Sequence, residues 1–263
     1  MWSPDALHVG LAARQLTLVT AAGRWTRSES AIEIHPCAPA DGAPPWQAAV
    51  DELARRLAER GGRRPALRVV LSGPLVRWQL LAWRPELAGR QELAAYSRLR
   101  FRETYGPAAD DWSVLHVPQP PGGPLPACAV DEALLEALRR TSAEAGARLL
   151  SVSPYFAAAF DRWRGALKGG SGWFGVLERD CLTLGLLRRS EWAGLRSQRL
   201  QGEWAEPLAG LMAQLGIPAA VAPDGMPLYL AGEAAPEGAG PPHVWLQPHE
   251  AGRLPGGRLA LGV

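Results

Sequence analysis

Lysine is almost absent from this sequence. Lys168 is the only one, so every other member of its 28 basic residues is arginine. With the abundance of Ala, Gly and Pro, this bias reads as genomic base composition and carries no functional meaning. Cysteine is equally sparse. Cys37, Cys128 and Cys181 lie far apart, and an odd count without close spacing excludes a disulfide framework or a zinc site. A reducing compartment suits such a chain. No apolar run approaches the ~18 residues a membrane helix needs. The segment from Met1 to Leu7 is too short and polar for a signal peptide. The expectation is a cytoplasmic protein without direct membrane insertion, held at an inner membrane only through a partner. A net charge of +2 lacks the dense basic surface of a nucleic-acid binder.

What is present is a globular balance. Hydrophobic residues make up 47% and charged residues 21% of 263 positions, enough for one large domain or two lobes with separate cores. Two short β-rich runs surround a tight connection between Leu7 and Val19 and predict a hairpin. An alternating run, Trp25 to Ile34, predicts a third strand, followed by a Pro/Ala loop from Pro36 to Pro45. Trp46, Val50, Leu53 and Leu57 recur at helical spacing, and the helix ends before Gly61-Gly62. Strands are predicted over Leu67–Leu71 and Val76–Trp83, around a turn at Ser72-Gly73-Pro74. Leu93, Tyr96 and Leu99 open a helix ending near Gly106. Trp112–Val117 and Ala127–Val130 are strands, separated by a loop from Gln119 to Pro126. Asp131 caps a helix that Gly146 stops. A strand at Leu149–Val152 leads to Pro154, which opens a helix through Leu167.

Lys168 to Gly172 is polar and glycine-rich and reads as a hinge. Three strands follow it, at Trp173–Leu177, Cys181–Leu187 and Trp192–Arg199. A helix over Trp204–Leu215 is stopped by Gly216. Short strands are predicted at Leu228–Ala231, Val244–Leu246 and Arg258–Leu261. The order amounts to a βββαβ unit used twice, with roughly 80 residues inserted in the first copy.

Familiar chemical motifs fail on context. Gly170-Ser171-Gly172-Trp173-Phe174-Gly175 has the G-x-G-x-x-G form, but it precedes a strand rather than a helix N-terminus. His8, His35, His116, His243 and His249 show no metal-ligand spacing. Neither G-x-S-x-G nor a P-loop occurs. Asp110-Asp111 reads as a solvated turn. Trp78, Trp83, Trp112, Trp163 and Trp173 read as packing residues rather than a base-stacking platform.

The duplicated unit with its insertion is the plan of actin-like proteins. The chain resembles the PilM branch of that superfamily, with its relatives the cytoplasmic part of GspL and the MSHA-pilus counterpart. Leu67-Arg68-Val69-Val70-Leu71-Ser72 and Val76-Arg77-Trp78-Gln79-Leu80-Leu81-Ala82-Trp83 look like the family's strand pair leading into the inserted subdomain. Leu93–Tyr105 looks like its helix. Trp112–Val117, Ala127–Val130 and the Asp131 helix look like the remainder. Ala145 to Leu149, then Pro154 and Ala157–Phe160, look like the return to the main lobe. The resemblance implies an α/β actin-like, ribonuclease H-like fold with duplicated βββαβ lobes. Lobe one would cover 1–168, with an inserted α+β subdomain at about 74–150, and a shortened lobe two would cover 173–263.

Nucleotide-binding relatives carry an acid, a Gly and hydroxyl residues in the first hairpin, where turn amides and hydroxyls cradle phosphate. The matching positions here are His8, Gly10, Ala12 and Ala13. A second acid-Gly turn matches Leu177-Glu178-Arg179-Asp180, and an adenosine motif matches Leu228 to Gly232 and Glu233. These degenerate positions imply no catalysis, no metal and no resident cofactor, with weak ATP–Mg binding as the residual option. The resemblance implies a non-catalytic scaffold in type IV pilus or type II secretion assembly. Its partner would be the cytoplasmic tail of an inner-membrane protein of the PilN or GspM type, and a secretion ATPase is a further candidate. A groove between main lobe and insertion, with Arg77, Gln79, Arg98 and Arg102, is the expected docking site. The alternative is an actin-like ATPase or sugar kinase using Asp180 or Glu178 as its acid.

Overall fold

The structure, a computed structural model, describes residues 6–20, 31–60, 65–87, 89–117, 122–222, 225–233, 240–247 and 256–263. The first hairpin forms as its pattern demands. Strand β1 (Ala6–Ala12) pairs antiparallel with β2 (Gln15–Thr20), with Leu11 opposite Leu16. Strand β3 (Ala31–Pro36) adds to β2. It covers the end of the alternating run, and Trp25–Ser30 lie outside the described residues. Helix α1 (Gln47–Glu59) buries Val50, Leu53 and Leu57, the residues that mark its period. It leads to β4 (Ala66–Leu71), which lies parallel to β1. After the insertion, β8 (Arg148–Pro154) completes the sheet in the order β3-β2-β1-β4-β8.

The second sheet repeats that plan. Strands β9 (Gly172–Leu177), β10 (Cys181–Arg188) and β11 (Glu191–Arg199) form an antiparallel meander. Helix α5 (Ala205–Ala219) then returns the chain to β12 (Leu228–Gly232), parallel to β9, and β13 (Val244–Trp245) closes the row. The order β11-β10-β9-β12-β13 matches the first sheet position for position.

The insertion is a third sheet. Strands β5 (Arg77–Leu81), β6 (Trp112–His116) and β7 (Leu125–Asp131) lie in the order β5-β7-β6, all antiparallel. Strand β7 starts two residues before the sequence reading. Helix α2 (Arg90–Tyr105) covers this sheet through Phe101, which packs with Leu81, Leu125 and Ala127. The Glu92 carboxylate accepts a hydrogen bond from the Gly89 amide at 3.0 Å, closing the first turn of α2. Helix α3 (Glu132–Glu144) begins on its cap: Asp131 accepts from the Ala133 amide at 2.9 Å. Trp46 also donates its indole N–H to Asp131, at 2.8 Å.

The two large sheets are stacked with helices between and outside them. Leu7, Val9 and Leu11 alternate toward α1 and α3, packing with Leu53 and Leu134. The opposite face of the first sheet meets helix α4 (Tyr155–Trp163), which also packs on the second sheet. Val70, Tyr155, Phe156, Phe174 and Val176 thus form one core between the sheets. Trp173, Leu182, Leu184 and Leu208 form another under α5. Each fully buried large apolar side chain contributes about 1.5–3 kcal/mol, which makes these layers the main stabilising term.

Three helices also differ from the sequence reading. Helix α4 stops at Trp163, and a separate turn covers Arg164–Ala166. Helix α5 runs through Gly216 and Pro218 to Ala219. Its stop is Ala220, in the left-handed conformation at φ 51°. There the Val221 amide donates to Gly216 O at 3.0 Å and the Ala220 amide to Ile217 O at 3.1 Å, a Schellman closure. Gly216 sits inside that closure because a Cβ would meet Val221 O at 2.6 Å. Finally, Arg258–Leu261 is a short helix, α6, not a strand. Gly262 closes it at φ 65°, and Leu259 and Ala260 are buried against β1.

Candidate functional site

Equivalent turns of the two sheets face one another. The β1–β2 turn contributes Ala12, Ala13 and Arg14, and the β9–β10 turn contributes Glu178, Arg179 and Asp180. Between them lies a cleft of about 760 Å³, also lined by Ser72 and Glu233. The duplicated topology therefore brings together four of the seven matched positions: Ala12, Ala13, Glu178 and Asp180. Gly232 lies directly before Glu233, at the end of β12.

The cleft brings three carboxylates, Glu178, Asp180 and Glu233, together with two arginines, Arg14 and Arg179. Glu178 is 5% exposed. Its carboxyl accepts a short hydrogen bond from the Ser72 hydroxyl and another from the Gly73 amide at 2.8 Å. Burial pushes this carboxyl up to about 8, against the opposing pull of those two bonds, and the nearby Glu233 and Asp180 charges add to the rise. Burial also raises Glu233. Among the described residues, Ser72 is the only hydroxyl residue along the cleft, and Glu178 occupies it. A bound triphosphate would meet the guanidinium groups of Arg14 and Arg179 as well as three acids and, among the described residues, no uncommitted side-chain hydroxyl.

The matched glycines have other duties. A Cβ on Gly10 would lie 2.8 Å from the Ala260 amide nitrogen and 3.0 Å from Leu259 Cγ. Gly10 is thus a seat for α6, a role hidden from any local reading of the hairpin. Gly232 sits at φ 152°, and a Cβ there would collide with the Leu177 carbonyl. It permits the close pairing of β12 with β9. His8 is buried on β1 and does not line the cleft. Burial, then the Arg68 charge, lower its imidazole, so it is neutral near pH 7. The last turn is pinned by helix α4 and by the second sheet. Tyr155 donates its hydroxyl to Val263 O at 2.5 Å, and Arg258 donates to Gly232 O at 3.2 Å.

A second concavity, of about 750 Å³, runs between β5 of the insertion and β11 of the second sheet. Arg77 and Gln79, two of the four residues expected at the docking site, line it. Arg98 and Arg102 do not, and Arg102 faces Asp110 at 3.5 Å instead. Helix α2 turns Arg100 and Thr104 toward the groove. The groove also differs in position from the expected one, since its far wall belongs to the second sheet. Arg196 and Arg199 of β11, which the sequence reading passed over, are part of it. Nothing in the sequence marks them, since β11 lies far along the chain from the insertion.

The remaining motifs are structural. Gly172 begins β9, where a Cβ would meet Pro227 O at 2.8 Å. Trp173 is fully buried, and Trp78 meets Phe156 edge-on at 5.5 Å. His243 lies edge-on to Trp204 at 5.6 Å, and His249 is outside the described residues. Among the described residues, no three His, Cys, Asp or Glu side chains are grouped to hold a metal ion. No helix among them is long and apolar enough to cross a membrane.

Two stacked sheets of identical 3-2-1-4-5 order, with a small sheet inserted after the fourth strand of the first, define an actin-like fold. Among solved structures, the chain is similar to the PilM-PilN type IV pilus biogenesis complex. The identity is 18%, 87% of this chain and 81% of that chain are covered, and the TM-score is 0.53. It is likewise similar to the cytoplasmic domain of EpsL, an inner membrane component of the type II secretion system of Vibrio cholerae. There the identity is 13%, the coverage 98% and 94%, and the TM-score 0.59. A Bacteroides thetaiotaomicron protein with an actin-like ATPase fold and unknown function matches at 10% identity, 88% and 83% coverage, and a TM-score of 0.57. No protein-family model and no curated protein matches the chain.

Proposed function

We propose that this protein is a non-catalytic scaffold in type IV pilus or type II secretion assembly, acting at the cytoplasmic face of the inner membrane. It takes the cytoplasmic tail of a membrane partner of the PilN or GspM type and contacts a secretion ATPase. The observation that carries this reading is the cleft. In a nucleotide-handling fold, the phosphate position holds Ala12-Ala13-Arg14 opposite buried Glu178, whose carboxyl is already engaged by Ser72 and Gly73. A cleft built this way holds the two sheets together rather than turning over ATP. The likeness in fold to the PilM-PilN complex and to EpsL supports the assembly role.

The test is affinity purification of the tagged full chain from detergent-solubilised host membranes, followed by mass spectrometry. Inner-membrane pilus or secretion components should co-purify. In parallel, calorimetric titration with Mg–ATP should show no turnover. ATP hydrolysis abolished by Asp180→Ala would overturn the scaffold reading, and so would repeated purification without any assembly component.

A further inference from the structure

The inserted sheet has two edges, and only one is covered. Strand β5 lies against β11 of the second sheet. Strand β6, at the other edge, pairs with β7 alone, and among the described residues only β7 and α2 pack extensively against it. The Val117 amide donates to Pro126 O at 2.9 Å, in register with the β6–β7 ladder. Residues of an antiparallel strand bond alternately to one side and the other. Ser113, Leu115 and Val117 therefore bond toward β7, and the backbone groups of Trp112, Val114 and His116 point outward. The Trp112 amide is already committed, since it donates to Ala109 O. Val114 and His116 thus present N–H and C=O groups along an open edge.

The side chains of β6 alternate as well. Trp112 and Val114 pack under α2 with Phe101. Leu115 and Val117 face the other way, 66% and 54% exposed. Proteins normally shield such an edge with a charge, a proline or a bulge. From Trp112 to Val117 there is no Lys, Arg, Asp or Glu and no proline, and the register with β7 runs without a bulge. The edge is apolar, uncharged and unguarded.

We propose that β6 pairs antiparallel with β6 of a second copy of this chain, across a two-fold axis at Leu115, joining the two inserted sheets into one of six strands. In this register Val114 faces the partner subunit's His116, and His116 the partner's Val114. The open N–H and C=O groups of both are then satisfied. Leu115 meets its own counterpart in a non-bonded pair, where opposed strands come closest, at about 4.5 Å between Cα atoms. Val117 lies opposite Ser113. A two-fold axis at Val114 instead would call on the Trp112 amide, which Ala109 holds. Charge favours a second copy over another segment. A charged strand would find no counter-charge on β6, whereas β6 sets no like charges against itself. About six residues a side is well below the ~20–30 of a stable interface, so the dimer is weak and reversible, in the micromolar range or above. The contact does not depend on the assembly role proposed above.

The experiment is sedimentation velocity on the full chain, in a concentration series from about 1 µM upward. Monomer should give way to dimer as concentration rises. Leu115→Arg, which opposes two like charges at the axis, should weaken the dimer by about tenfold or more. Val244→Arg, at an exposed apolar position on β13, should leave it unchanged. If Leu115→Arg fails to fold, Val117→Arg tests the same edge. Leu115→Cys fixes the register. It is made in a Cys128→Ser background, because Cys128 is the neighbour of Leu115 on β7. Mild oxidation should then yield a disulfide-linked dimer, and Val244→Cys in the same background should not. A chain monomeric at every concentration, a dimer indifferent to the Leu115 and Val117 variants, or a dimer that Leu115→Cys does not cross-link would each overturn the proposal. So would a monomer that loses a co-purifying protein on Leu115→Arg, which would give the edge to a different partner.

Discussion

The carboxyl of Glu178, at the end of β9, accepts hydrogen bonds from the Ser72 hydroxyl and the Gly73 amide, beyond the end of β4. One side chain thereby ties the second sheet to the first. Gly73 makes the approach possible, because a Cβ there would lie 2.6 Å from Glu178 Oε1 and 2.8 Å from Cys181 Sγ. The tie is a proton-linked one. Burial holds the carboxyl at about 8 in the folded state, against the 4.5 of a solvated glutamate. Between those values the folded state holds a proton that the unfolded chain has released. Its contribution to stability is therefore full below about 4.5 and is lost as pH rises toward about 8. The loss is on the order of a few kcal/mol. Glu178→Gln keeps an acceptor for Gly73 and removes the proton. Urea denaturation across this pH range should show a flatter profile for the variant, and greater stability than the parent at the alkaline end. Parallel profiles would refute the linkage.

Gly10 is a packing residue in this structure, and its substitution tells a phosphate role from a structural one. Gly10→Ala places a methyl group against Ala260 and Leu259. Overpacking of this kind costs about 1–3 kcal/mol. Hydrogen exchange should rise at Leu261, Gly262 and Val263, whose amides are bonded within the last turn. Unchanged exchange there would show that α6 does not rest on Gly10.

The strands from Leu7 to Leu71 and the helix with Val50, Leu53 and Leu57 are legible because their periods are strong and their ends are marked by Gly, Pro or polar residues. The duplication is legible from element order alone, and with it the meeting of Ala12-Ala13 with Glu178 and Asp180. What fills the cleft is not, since the bond from Ser72 to Glu178 depends on how the two sheets stack. Arg258–Leu261 has too few residues to show any period, and its form depends on contacts with Gly10, Tyr155 and Gly232, all distant in the sequence. Helix α2 carries charges around most of its circumference and is weakly amphipathic, so the sequence could not choose between Arg98 with Arg102 and Arg100 with Thr104 as its groove-facing row. Arg196 and Arg199 escape for a similar reason. They gain meaning only when β11 is known to wall the second groove.

Asp131 joins two helices through one carboxylate. It caps α3 through the Ala133 amide and accepts from the indole of Trp46, which is 5% exposed. Asp131→Ala removes a cap and leaves a largely buried N–H without its acceptor. A loss of about 2 kcal/mol is expected by urea denaturation, read by tryptophan fluorescence. Asp131→Asn should lose less, because its side-chain carbonyl still accepts one of the two bonds. Equal losses would mean that charge, not hydrogen-bonding geometry, makes the junction.

Cys181 lies where the Gly73 turn meets β10, at the border of the groove. Burial pushes its thiol up to about 12, with the Glu178 charge adding to the rise, and burial alone lifts Cys128 to about 11. Only the thiolate reacts, so at pH 8 the reactive fraction is on the order of one in ten thousand for Cys181 and one in a thousand for Cys128. Cys37 is also raised, by burial first, but its side chain is only partly covered. Iodoacetamide at pH 8, followed by peptide mass spectrometry, should label Cys37 first. Cys181, which is buried, should react only as fast as the protein opens, and Cys128, partly covered like Cys37 but with its thiol raised to about 11, should react more slowly than Cys37. Glu178→Ala, which removes the charge beside Cys181 and loosens the Gly73 turn, should speed labelling of Cys181 far more than of Cys128. Rapid labelling of Cys181 in the parent would show that the turn does not seal the border of the groove, and that the tie between the sheets is open in solution.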